Sequence, residues 1–344
     1  MKIAVGISVA ALALAGCGGN GTGTTPGASG TSSAGKVLKV GMAYDVGGRG
    51  DQSFNDAAAK GLDKAKAELG AETKEATAVN GEPESAREER LQQLIEAGYT
   101  NVIAVGFAYA PSVKKVAAAN PDVKFALVDS TDVTGPNIEN LTFAEHEGSF
   151  LMGAAAALKS KTGKIGFIGG VNTDLIKKFE AGYVMGAKTA NPAVTVQIKY
   201  LTQPPDFSGF NDPAKGKTAA EGMYQQGADV VFAAAGGSGG GVFTAATAAG
   251  KMVIGVDSDQ ALTAPPATRG VIITSMIKKV EVGTFDFVKG LTEGKFVAGT
   301  KVYDLKGGGV DYSTTGGKID DIKAKLDAYK ADIIAGKIVV PTKP

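Results

Sequence analysis

From Val37 onward, short β-branched runs alternate with helical stretches, and the whole alternation occurs twice at nearly constant spacing. Runs at 37–44, 72–79, 101–106 and 124–128 are answered by runs at 164–169, 194–201, 229–235 and 252–256, with a ninth at 271–275. Ser53 to Leu69, Ser85 to Ala97, Phe179 to Thr189 and Lys217 to Gln226 read as helices between them, and Leu91, Leu94 and Ile95 show the spacing of a buried helical face. Alternation of this kind predicts parallel sheets covered by helices on both faces. Its repetition predicts two similar α/β lobes, each a doubly wound parallel sheet. Local sequence repeats too, since Phe125-Ala-Leu-Val-Asp-Ser130 and Val253-Ile-Gly-Val-Asp-Ser258 both end a strand on Val-Asp-Ser.

In a doubly wound sheet the ligand sits beyond the carboxyl ends of the strands, so the residues just after each strand matter most. Asp45, Asp129 and Asp257 each stand at such a place, and Gly106, Gly169-Gly170 and Gly236-Gly237 follow three further strands. A single post-strand aspartate is ordinarily a helix cap or an Asx turn. Three at equivalent places in facing lobes point instead to a cleft rimmed with acceptors, where the glycines let a ligand approach the backbone. The run Gly236-Gly-Ser-Gly-Gly-Gly241 is a poor nucleotide loop, because Val242 stands where G-x-G-x-x-G needs glycine and no Gly-Lys-Ser/Thr follows.

The amino terminus reads as an address. Met1-Lys2 is a short positive start, Ile3 to Ala13 is apolar, and Leu14-Ala-Gly-Cys17 is a lipoprotein processing motif. The apolar run falls short of the roughly 20 residues a spanning helix needs. Residues 1–16 are expected to leave as a signal peptide, and Cys17 to carry lipid. Residues 17–36 then form a Gly/Ser/Thr linker that holds the protein roughly 25 Å from the membrane on its extracytoplasmic face. Cys17 is the only cysteine, so an internal disulfide is impossible. Loss of Lys2 leaves the basic side chains equal in number to the 35 acidic ones, without the basic excess that nucleic acid binding requires.

Catalysis has little to work with. The one histidine, His146, lies between Glu145 and Glu147 and cannot build a multi-histidine metal site. A Ser-His-Asp triad would have to be built on His146, the only histidine. The expectation is a binding protein with no enzymatic activity, cofactor or metal. With His146 read as a helix-start residue outside the ligand shell, affinity is expected to be flat between about pH 6 and 8.

Taken in order, several segments resemble the basic membrane protein family, whose best-understood members are purine nucleoside receptors. They are Asp45-Val-Gly-Gly-Arg-Gly-Asp51-Gln-Ser-Phe54-Asn55, Glu145-His-Glu-Gly-Ser-Phe150-Leu, Gly166-Phe-Ile-Gly-Gly170, Phe210-Asn-Asp-Pro-Ala-Lys-Gly216, Ile254-Gly-Val-Asp257-Ser-Asp-Gln260 and Thr274-Ser-Met-Ile-Lys278. The resemblance spans nearly all of the chain past the linker. It implies a type I periplasmic-binding-protein fold with two lobes joined by a hinge. Residues 37–143 plus about 277–299 would form one lobe, and 144–276 plus about 300–344 the other. It also implies a monomeric substrate-binding lipoprotein of an ABC importer, working with permease and ATPase subunits.

Residue roles follow from the same resemblance. Phe54 and Phe210, one from each lobe, match a pair that sandwiches a purine, Asn55 and Asp129 match base contacts, and Asp257 with Lys278 matches a sugar-binding pair beside Asp45. Phe207 and Lys279 are neighbouring alternatives to Phe210 and Lys278. A carboxylate can accept from two vicinal hydroxyls while an ammonium offsets its buried charge. A sugar or other small polar solute is the alternative ligand, and a surface sensor without transport the alternative role. Asn55 beside Phe54, and the absence of tryptophan, favour a flat heterocycle over a hexose.

Overall fold

The computed structural model describes residues 37–344, so the signal peptide, Cys17 and linker assigned above lie outside the described residues. The first half runs β1 (Lys39–Tyr44), α1 (Phe54–Leu69), β2 (Glu72–Thr77), α2 (Glu84–Glu96), β3 (Asn101–Ala104), α3 (Ala110–Ala119), β4 (Lys124–Val128), β5 (Ile138–Phe143). The helix α4 (Glu145–Lys159) leads into β6 (Lys164–Val171), α5 (Asp174–Ala190), β7 (Thr195–Thr202), α6 (Pro213–Gln225), β8 (Val230–Ala234), α7 (Gly239–Ala249) and β9 (Met252–Asp257). The short helices α8 (Gln260–Thr263) and α9 (Pro266–Arg269) precede β10 (Ile272–Lys278), and α10 (Val280–Thr292), β11 (Gly299–Tyr303), β12 (Val310–Tyr312) and α11 (Asp320–Ile334) complete the chain.

The strands form two sheets with matching orders, β2-β1-β3-β4-β5-β11 and β7-β6-β8-β9-β10-β12. Every pairing is parallel except that of β12 with β10. The apolar patterns explain the order. Inner strands such as β3 and β8 are buried at every position, as a strand covered by helices on both faces must be. β2 and β7 carry polar residues along exposed positions and occupy the equivalent edge of each sheet.

Capping chemistry moves two helix starts upstream of the expected ones. The Thr173 side chain accepts from the Ile176 N–H, so α5 begins at Asp174 rather than Phe179. Asp212 accepts from the Lys215 N–H with Pro213 in the first turn, so α6 begins there rather than at Lys217.

The chain passes between sheets after β5 and after β10, and α10 packs back on α1, where the Thr284 hydroxyl donates to the Ala58 carbonyl over 3.3 Å. The lobe boundary expected near residue 300 needs correction. Gly299–Tyr303 pairs in register with Glu139–Phe143, so the last passage falls after Tyr303. Lys278, expected just past a crossing, is still the last residue of β10 in the second sheet. The C-terminal helix α11 lies on α4, with Tyr329 edge-on to Phe150 at 5.6 Å.

α4 and α5 approach each other more closely than side chains with a Cβ would permit. A methyl group on Gly153 would lie 1.9 Å from the Tyr183 carbonyl oxygen, and one on Gly182 or Gly186 would lie 2.1 or 1.9 Å from the carbonyl oxygens of His146 or Phe150. This contact fixes the two helices that wall the second sheet next to the cleft.

Candidate ligand-binding cleft

The carboxyl ends of both sheets meet around a narrow slot of about 60 Å³. Asp45, Phe54, Asn55, Asp129, Phe210, Gly236, Asp257 and Lys278 all line it. Phe207 and Lys279 do not. The Phe207 ring lies instead 5.6 Å from the Arg87 guanidinium and edge-on to Phe107.

The two Val-Asp-Ser strand ends are alike in backbone as well as sequence. Asp129 and Asp257 both adopt left-handed conformations, with φ of 67° and 63°. Few non-glycine side chains tolerate that region, and aspartate is one of them. Asp257 Oδ2 accepts from the Ser53 hydroxyl over 2.6 Å, across the cleft. Gly236 is also left-handed, and Gly170 leaves room for Phe210, since a Cβ there would sit 2.4 Å from the phenyl ring.

The turn from β1 into α1 is held by its own polar groups. Asp51 accepts from the N–H groups of Ser53, Asn55 and Asp56 and so caps the helix. The Asn55 amide is largely engaged: Oδ1 accepts from the Asp45 N–H, and Nδ2 donates to the Val46 carbonyl and to Asp51. What it still offers a ligand is the second lone pair of Oδ1.

Lys278 is the centre of charge. Its ammonium donates to Asp129 and lies 3.4 Å from Glu145, with all three side chains at most 4% exposed. Lys178 continues the chain of charges at 3.6 Å from Glu145. The rings of Phe54, Phe143 and Phe179 surround the ammonium at 5.0, 5.2 and 5.6 Å. Burial works against the charged amine, but Asp129, Glu145 and Asp257 outweigh it and hold Lys278 protonated above its ordinary range. Lys278 thus bonds Asp129, not the Asp257 with which the resemblance pairs it. Burial pushes the Asp45 and Asp257 carboxyls up to about 6, against the lowering effect of the Val46 N–H on Asp45 and of Lys278 on Asp257.

Residues 38–343 match the family model for the PnrA-like ABC transporter substrate-binding proteins, Bmp. The chain belongs to this family. A Lactococcus lactis relative named as the ABC transporter nucleoside-binding protein BmpA is 38% identical over 92% of this chain and 93% of its own. Basic membrane protein A of Borreliella burgdorferi is 32% identical over 91% of each. Among solved structures, a solute-binding protein of an ABC transporter system from Aeropyrum pernix K1 superposes with a TM-score of 0.77 at 29% identity, covering 88% of this chain and 94% of that one. The chain is therefore a substrate-binding protein of an ABC transporter and not an enzyme. That role implies permease and ATPase partners.

Within this Bmp protein the sequence reading overlooked four residues at the site. Asp51 and Phe107 line the slot, as does Phe179, while Glu145 holds Lys278 from behind. Phe107 follows the strand-end Gly106 and was open to notice. Glu145 was not, because its partner lies more than a hundred residues further along the chain.

Proposed function

We propose that this Bmp protein captures a nucleoside, a purine nucleoside by preference, in the slot between its lobes and releases it to the permease. Lipid on Cys17 would hold it at the outer membrane face, and among the described residues no helix is long and apolar enough to cross a membrane. The observation that carries the reading is the company kept in one narrow slot: phenyl rings from both halves beside four carboxylates and one ammonium. Flat apolar walls suit a heterocyclic base. Ionised Asp257 is an acceptor for vicinal ribose hydroxyls, and Asp129 Oδ1 receives no hydrogen bond among the described residues and is a second one. The name of the Lactococcus relative supports the same ligand class.

Isothermal titration with adenosine, guanosine, inosine, cytidine, uridine and ribose tests this, on protein unfolded and refolded to strip carried-over ligand. Purine nucleosides should bind, and Asp257→Asn and Phe54→Ala should each weaken them by about 1–3 kcal/mol. Well-folded protein that gives no heat with any nucleoside would discard the ligand and leave the family assignment intact.

The carboxyls also revise the expectation of pH-independent affinity. If the ligand's hydroxyls need Asp257 ionised, binding is at full strength well above about 6 and is lost as pH falls through that value. One required carboxylate should weaken binding about tenfold between pH 7.5 and 5. Titration across that range should show the loss in the parent protein and a flatter profile in Asp257→Asn.

A further inference from the structure

Five hydrogen bonds between protein groups cross the cleft onto the Gln52-Ser53 turn that leads into α1. The Ser53 hydroxyl donates to Asp257 Oδ2 and, at 3.4 Å, to the Val256 carbonyl, while the Ser258 hydroxyl donates to the Ser53 carbonyl over 3.1 Å. The Gln52 carbonyl accepts twice, from Gln260 Nε2 at 3.0 Å and from the Thr263 hydroxyl at 3.3 Å. Gln52 is held at a φ of 57°, a conformation its side chain does not favour.

Gln260 is the hub on the opposite side. It is 2% exposed, its Oε1 accepts from the Val256 N–H over 2.8 Å, and its own N–H donates to the Ser275 hydroxyl. One amide therefore fixes the strand end that carries Asp257 and grips the first half of the molecule. Gln260 lies outside the ligand slot.

We propose that Gln260, with Thr263 and Ser258, is an interlobe latch that positions the closed form and sets how long any ligand stays enclosed. These contacts join the two halves across the cleft, so hinge opening would break them and they add differential stability to the closed state. Removing them lowers the closed fraction, and apparent affinity falls with that fraction through faster release. The inference rests on closure of two lobes and not on the ligand proposed above.

Gln260→Glu is the discriminating variant, because it keeps the acceptor for the Val256 N–H and loses the donor to Gln52. Thr263→Val removes the second donor at a half-exposed position. Spin labels at Lys66→Cys and Lys217→Cys, in the Cys17→Ser protein, report the distance between the halves, and adenosine serves as the kinetic probe. Each variant should shift the ligand-free distance distribution to longer values and raise the adenosine dissociation rate about threefold to tenfold, with the association rate within about twofold of the parent. If adenosine does not bind, the ligand-free distances decide the matter alone. Unchanged distances in both folded variants would overturn the latch.

Discussion

Lys278→Met is expected to abolish ligand binding and to cost about 3–5 kcal/mol of folding stability. The substitution leaves Asp129 without its only charged partner within ion-pair distance among the described residues, in a site where the carboxylate is 4% exposed. Glu145 fares less badly, because Lys178 remains 3.6 Å away. The loss should therefore come mainly from Asp129. Adding Asp129→Asn to Lys278→Met should recover much of the stability, read by chemical denaturation, and none of the binding. Recovery of both would mean that Lys278 serves only the fold.

The second large effect lies away from the slot. Gly182→Ala and Gly186→Ala each press a methyl group into a backbone carbonyl of α4, which cannot rotate aside as a side chain can. Each should destabilise the protein by about 1–3 kcal/mol, and the pair by more, seen as a lowered Tm. Affinity should fall as well, because α5 carries Ile176 and Phe179 of the slot wall and Lys178 of the charge chain. Gly222→Ala in α6 is the control. Nothing lies within 4 Å of a Cβ there, so that change should be neutral or stabilising through helix propensity.

Much of this architecture could be read along the chain because its inner strands are apolar on both faces. The strands missed were those that break this rule. β5 alternates Ile138, Leu141 and Phe143 with polar residues, and buried Asn140 spends its amide on the Val133 carbonyl. β11 is an edge strand with Lys301 and Val302 exposed, and β12 has three residues. At the site, residue types that follow strands were legible, since topology alone delivers strand ends to the cleft. Partnerships were not. That Lys278 faces Asp129, that Asn55 is bound up in its own turn, and that buried carboxyls sit near 6 all depend on folded distances. A pH expectation built on His146 alone could not see the carboxylates.

The left-handed strand ends at Asp129 and Asp257 carry a consequence for how such a site can change. A backbone of that shape favours glycine, asparagine and aspartate over other residues. The menu at both places is thus a carboxylate, an amide or no side chain at all. Aspartate and asparagine codons differ by one base. A lineage built on these turns can retune the charge of its slot in a single mutational step, in either half, without rebuilding the loop. Ligand preference is then free to drift along one chemical axis, from donors that need an anion to groups that an amide satisfies, while the geometry that frames them stays put.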